Sequence, residues 1–178
     1  VLQTQSGEWF VIAGGSPAFQ KKFGSSNPET PVLVRFPKVE KVEDLAGITP
    51  KKIYRLADLP PVKETFQLYE DRHQNIWILA FSEKFSHLFR FECETGRFVD
   101  LSETVGIENG YFQTFAEDAS GNLWFGGSIS RKSNPAEKIG LLRFKNGEFQ
   151  AIQIKENFQG FVYDLLSDSK NRLWVATS

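Results

Sequence analysis

Two histidines, one cysteine and three regularly spaced aspartates are the residues of this sequence that invite a chemical reading. His73 and His87 are the whole histidine complement, so a three-histidine zinc site is impossible, and no H-E-x-x-H phrase is present. Cys93 stands alone, which removes both an internal disulfide framework and a cysteine-based zinc site. Gly-x-Ser-x-Gly is missing, so there is no nucleophile elbow for a Ser/His/Asp triad. Asp71, Asp118 and Asp168 are spaced 47 and 50 residues apart, but each opens the same polar phrase. Their expected role is therefore to close a hairpin once per repeat, not to act as paired acid and base. The run 118–122 lacks the alternating ligands and distal Glu of a calcium loop. The chain is read as non-catalytic, with no metal and no cofactor.

The aspartate phrases are one part of a longer repeat. Residues 71–77 read DRHQNIW, 118–124 DASGNLW and 168–174 DSKNRLW, an ungapped pattern ending in Trp77, Trp124 and Trp174. A looser copy, QSGEW over residues 5–9, ends in Trp9 and is one residue shorter between glycine and tryptophan. Intervals of 47 and 50 residues match four-stranded propeller blades, and the interval of 68 after Trp9 implies an insertion in the first. A second phrase follows the first three tryptophans in the same order: Val34-Arg35-Phe36, Phe89-Arg90-Phe91 and Leu142-Arg143-Phe144. In the second and third copies a glycine turn comes next, at Thr95-Gly96 and Asn146-Gly147.

Each unit reads as four short strands. First strands are expected at 65–69, 112–116 and 161–166. A turn follows in which Gly121 or Asn171 takes positive φ, then a Trp strand, a third strand at 87–91 or 140–144, and a fourth at 97–101 or 148–152. A helical turn fits within 45–59, before Pro60-Pro61. The tryptophans are expected to fill the space between stacked sheets. The predicted fold is all-β, a partial β-propeller of about three and a half four-stranded antiparallel blades, approximately 1–61, 62–109, 110–158 and an incomplete 159–178. A propeller closes with about four to eight blades, so this open arc is expected to self-associate or to depart from a ring. With no methionine in 178 residues, the sequence reads as a piece of a longer protein whose remaining blades are partners.

The phrase D-x-x-G-N-L-W-[IF]-G-[TG], followed by G-L-x-R-[FY], resembles the two-component regulator propeller repeat. Residues 118–127 with 140–144 give the best copy, 168–177 a good half copy, 71–91 a degenerate one, and 7–14 with 32–36 a weak one. The resemblance implies an extracytoplasmic, periplasmic sensor region of a membrane-anchored bacterial receptor. It also implies carbohydrate or another small nutrient as ligand, and phosphorelay chemistry carried elsewhere in the parent.

Lys+Arg number 21 against 22 Asp+Glu, which leaves no excess charge for a phosphate backbone and excludes nucleic acid as an expected partner. No apolar run approaches the roughly 18 residues of a membrane span. Recognition is expected in the variable loops 16–30, 82–86 and 128–138 and the links 46–62, 102–110 and 155–159. These loops hold Phe19, Lys21, Lys22, Phe23, Lys84, Phe85, Arg131 and Lys132, and His87 follows the second loop. Aromatic faces beside cations suit a sugar, especially an acidic one. Two alternatives stand beside this reading: a lyase of the streptogramin-cleaving kind, with His87 as its catalytic candidate, and a protein-interaction propeller.

Overall fold

The computed structural model describes residues 1–13, 32–55, 64–81, 86–105, 107–131, 134–154 and 160–178. Strands β1 (Leu2–Gln3), β2 (Trp9–Ala13), β3 (Val32–Phe36) and β4 (Lys52–Arg55) form the first sheet. The second holds β5 (Glu64–Glu70), β6 (Ile76–Phe81), β7 (Ser86–Glu92) and β8 (Arg97–Asp100). The third holds β9 (Ile107–Glu117), β10 (Leu123–Arg131), β11 (Asn134–Lys138), β12 (Gly140–Lys145) and β13 (Glu148–Gln153). β14 (Val162–Ser167) and β15 (Leu173–Thr177) pair alone. All pairings are antiparallel. The chain is a partial β-propeller, with three blades whose four strand positions are filled and a fourth of two strands.

Burial follows from this stacking. β6 reads IWILAF and is buried on both faces up to Ala80, because its sheet lies between two others. Ile76, Ile78 and Ala80 pack with Phe89 and Phe91 against Phe10, Leu33 and Tyr54 of blade 1. From the opposite face Trp77, Leu79 and Leu88 meet Phe112, Phe115, Leu123, Phe125 and Leu142 of blade 3. A third layer joins Ala116, Trp124 and Leu141 to Val162, Leu165, Leu173 and Val175 of blade 4. Period-two alternation sends successive side chains to opposite layers.

Three connections differ from the sequence reading. The expected helical turn within 45–59 is a 3-10 helix at Val42–Gly47, and Lys52–Arg55 in the expected link 46–62 is a strand. Leu45 draws the turn forward by packing, with Val39 and Ile48, on Val34, Phe36, Trp9, Val11 and Ile53. This covers the blade 1 face that no other sheet occupies, and the Trp9 indole N–H donates to the Val39 carbonyl at 3.1 Å. The expected loop 128–138 is largely strand: β10 runs to Arg131, and β11 pairs with it beyond the end of β12. Pro135 is accommodated because β11 is an edge strand. Likewise β9 begins at Ile107, inside the expected link 102–110.

Candidate functional site

The turn end of each blade is organised by its aspartate. Asp71 Oδ1 accepts the backbone N–H groups of His73 and Asn75, both at 2.9 Å. Asp118 Oδ1 does the same for Ser120 and Asn122 at 2.9 and 3.0 Å, and Asp168 Oδ1 for Lys170 and Arg172 at 2.9 and 3.0 Å. The second carboxylate oxygen reaches across the hairpin to the tryptophan six residues on. Indole N–H to Oδ2 distances are 2.8 Å for Trp77, 2.9 Å for Trp124 and 2.9 Å for Trp174. One side chain therefore ties the turn to the strand, a link the sequence reading did not foresee. The third residue after the aspartate has positive φ in every case: Gln74 63°, Gly121 83° and Asn171 59°. Gly121 fills that position without the Cβ penalty the other two bear.

The same unit exists in blade 1 under other letters. Gly7 has φ 83°, its N–H donates to the Thr4 carbonyl, and Thr4 N–H donates to Glu8, both at 2.8 Å. Gln74 N–H to Asp71 and Asp71 N–H to Asn75 repeat this pattern at 2.9 and 3.0 Å. Thr4 thus takes the aspartate position and Phe10 the tryptophan position. Strand register agrees: Phe10 lies opposite Arg35, as Trp77 lies opposite Arg90 and Trp124 opposite Arg143. The guanidinium carbons stand 5.7, 5.8 and 5.6 Å from those three ring centroids, within cation–π range. Assigning Trp9 to the repeat position is corrected: Trp9 points to the opposite face, onto the 3-10 connection. Trp77 is fully buried and Trp124 partly so, whereas Trp174 is 53% exposed. A role in the core holds only where a following sheet covers the ring.

The carboxylates make this unit acid-sensitive. Burial opposes ionisation of Asp118, but hydrogen bonds from Asn122 and the Trp124 indole outweigh it and hold the carboxyl below its ordinary value. Bonds from the Trp174 indole and the Arg172 backbone bring Asp168 down to about 2. Depressed folded values mean that the unfolded chain takes up protons first as pH falls. This stability is complete above about pH 4 and is lost between about pH 4 and pH 2. Urea midpoints measured from pH 5 to pH 2 should fall through that window, and Asp168→Asn should flatten the lower part of the curve.

Adjacent blades are latched at the same end. The N–H after each turn residue donates into the next blade: Gln5 to Glu70 at 2.5 Å, Arg72 to Glu117 at 3.1 Å and Ala119 to the Asn171 side chain at 2.8 Å. Glu70 and Glu117 each immediately precede an aspartate. Ser167 stands there in the fourth repeat, and Asn171 supplies the acceptor instead. Glu117 also pairs with the Arg72 guanidinium and accepts the Tyr69 hydroxyl at 3.4 Å. Burial and the neighbouring Glu117 charge push the Tyr69 hydroxyl up to about 12, keeping it protonated as a donor. Glu117→Ala should cost about 0.5–1.5 kcal/mol, the net value of the lost bonds where water can reach the exposed Arg72 donors, read as a urea midpoint shift at constant m.

At the opposite, loop end lies a solvent-facing aromatic row that crosses three blades. Phe81, at the end of β6, is 4.8 Å between centroids from Tyr111 in β9. Tyr111 is 6.3 Å from Phe161, and Phe161 is 5.0 Å from Tyr163 in β14. Tyr111 and Tyr163 are 36% and 57% exposed. Beside Tyr163, the Asp164 carboxylate accepts the Thr114 hydroxyl at 3.0 Å. The sequence reading missed this row, although Tyr111 and Phe161 each stand thirteen residues before a repeat tryptophan. Phe19, Lys21, Lys22, Phe23, Lys84, Phe85 and Lys132 lie outside the described residues. The Arg131 backbone pairs with Ile107 and Asn134. His87 starts the third strand, while His73 is in the turn at the other end. The His87 ring stacks on Phe89 with centroids 5.8 Å apart, on the face toward blade 1, and its nitrogens have no hydrogen-bond partner among the described residues. Burial lowers its proton affinity, so the ring is neutral at pH 7.

Blades of this construction have counterparts elsewhere. The family model for the two component regulator propeller matches residues 106–128 and 158–178. The chain carries two component regulator propeller repeats. The first match ends within β10, at Ser128, and the second just after β15, at Ser178, so the family pattern covers the aspartate turn described above in blades 3 and 4. No protein of curated function matches the sequence. The extracellular domain of a protein assigned as a one component system from B. thetaiotaomicron is similar in structure, with TM-score 0.54, 15% identity, 89% of this chain covered and 22% of that one. PorZ, a surface component of the type-IX secretion system of Porphyromonas gingivalis, aligns with TM-score 0.49, 11% identity, and 86% and 30% coverage. The chain thus spans about a fifth of the length of the first of these structures.

Proposed function

We propose that this propeller segment is a non-catalytic, ligand-sensing part of an extracytoplasmic bacterial signalling receptor, and that carbohydrate is the ligand class. The aromatic row carries the reading. Tyrosine rings offer flat apolar faces together with hydroxyl groups, which suits a sugar that has a C–H face and a hydroxyl rim. The Asp164 carboxylate next to the row is an acceptor for those hydroxyls. A rigid stack of sheets holds the row in place. The two component regulator propeller repeats support the receptor assignment. Periplasmic placement and the membrane-anchored, kinase-bearing parent rest on that class of repeat alone.

The test is a melting-temperature screen against neutral and acidic oligosaccharides. A ligand at a hundred times its dissociation constant stabilises by about 2.7 kcal/mol, a shift of several degrees for a domain of this size. Tyr111→Ala and Tyr163→Ala should each weaken binding about tenfold or more, while His87→Ala leaves it unchanged. Unaltered binding by both tyrosine variants would count against the row. Sugar turnover abolished by His87→Ala would replace the sensor reading with the lyase one.

A further inference from the structure

At the turn end of the stack, two neighbouring pairs of blades form clefts of the same construction. The cleft between blades 1 and 2 has a volume of about 340 Å³ and is lined in part by Glu8, Arg35 and Lys51. The one between blades 2 and 3, of about 440 Å³, is lined in part by Asn75, Arg90, Phe144 and Lys145. Both lie between sheets whose four strand positions are all filled.

The two clefts differ by one carboxylate. Glu8 stands two residues before Phe10, as Asn75 stands two before Trp77. The Glu8 carboxylate accepts Arg35 Nε at 3.0 Å and Nη2 at 2.5 Å, and Lys51 Nζ at 2.6 Å, so in the first cleft the chain itself supplies the anion that the repeat arginine and a lysine share. In the second, Asn75 turns its amide onto Asp71 at 3.0 Å. Arg90 places Nη2 on Glu92 at 3.0 Å, but its Nε has no acceptor among the described residues. Lys145 has no ion-pair partner among them either. The anions lining this cleft are already committed, Asp71 to its turn and the Trp77 indole, Glu117 to Arg72 and Tyr69. Arg143 in blade 3 shares the missing Nε acceptor, but only Arg90 faces a sheet with all four strand positions filled.

We propose that the cleft between blades 2 and 3 binds a small carboxylate ligand, which takes on Arg90 and Lys145 the place that Glu8 takes on Arg35 and Lys51. A guanidinium presents its N–H groups as a planar fork that matches a carboxylate, and a buried N–H left without an acceptor favours any ligand that provides one. The Arg90 side chain is 26% exposed, open enough to be reached and sheltered enough for the charges to be felt. The partly buried Phe144 ring beside it suits a ligand with a flat apolar body, so an aromatic acid is the simplest member of the class. This site lies at the opposite end of the blades from the aromatic row and does not depend on the sugar reading.

Benzoate titrated into the labelled chain at constant ionic strength, with sulfate as the comparison anion, is followed by NMR at arginine Nε–H and backbone amide signals. Saturable shifts at Arg90, Lys145 and Gly147, with Arg35 and Gly7 unmoved, are expected. Lys145→Ala, a change at an exposed side chain, should weaken benzoate about tenfold or more. Asn75→Glu puts the missing carboxylate into the cleft and should abolish binding, whereas Glu8→Asn should open the first cleft and bring shifts at Arg35. Because Asn75→Glu also alters the turn that Asp71 closes, the Lys145 variant carries the test independently. Tyr111→Ala should leave benzoate binding unchanged. No saturation, an equal response to sulfate, or unaltered affinity in the Lys145 variant would overturn the proposal.

Discussion

Asp71→Ala should lower the unfolding free energy by about 3–5 kcal/mol, more than its counterparts in the later blades. Asp71 is only 4% exposed, and Trp77, whose indole it accepts, is fully buried. Without the carboxylate, water reaches the His73 and Asn75 N–H groups at the turn surface, but the indole N–H is sealed between blades 2 and 3. A buried donor left without a partner costs about 1–3 kcal/mol, and the lost turn bonds add about 1 kcal/mol each. Asp71→Asn keeps one acceptor but forces a choice between turn and indole, so it should fall between wild type and alanine. Asp168→Ala should cost clearly less, because Trp174 is half exposed and water replaces the carboxylate. Urea unfolding at constant m gives the comparison. An Asp71→Ala loss below about 1 kcal/mol, or one no larger than that of Asp168→Ala, would contradict the claim that one carboxylate joins turn to core.

The second large effect separates two adjacent aromatics. Phe10→Ala should cost about 3–5 kcal/mol, since Phe10 is 1% exposed and packs in the layer shared with blade 2, 6.0 Å from the Phe91 ring. Trp9→Ala removes the larger side chain yet should cost less, about 1–2 kcal/mol, because Trp9 is partly exposed and seats only the 3-10 connection. The order would reverse if Trp9 held the repeat position. Phe10→Trp combined with Thr4→Asp offers a gain-of-stability control that rebuilds the motif in its proper register.

These contrasts show what could be read in advance. The ungapped phrases at residues 71, 118 and 168 carried the turn, the positive φ at Gly121 and Asn171, and the blade spacing, because hairpin chemistry is local. The first repeat was misaligned because a tryptophan happens to precede Phe10, and a threonine, its hydroxyl donating to the Glu8 carbonyl, stands where the other blades have the aspartate. The Gly7 turn and the pairing of Phe10 with Arg35 resolve that. Residues 128–138, rich in Ser, Asn and Pro, read as loop on composition, but the long β9–β10 ladder supplies backbone partners that composition does not reveal. The aromatic row was invisible for a different reason. Phe81 ends β6, Tyr111 lies within β9, and Phe161 and Tyr163 flank the first residue of β14, positions where an aromatic residue reads as ordinary strand propensity, and the row exists only once three blades are side by side. The first-chosen loop residues, by contrast, lie almost entirely outside the described part of the chain.

The most direct measurement is to locate a bound sugar on the molecule. Tyrosine ring resonances of the labelled chain, followed by NMR while the best oligosaccharide from the screen is added, report where contact occurs. Shifts and ligand-to-protein cross-peaks concentrated at Tyr111 and Tyr163, with Tyr54 and Tyr69 between the blades unmoved, are the predicted result. Contacts confined to the turn end, or changes at the buried tyrosines without any at the row, would contradict the account.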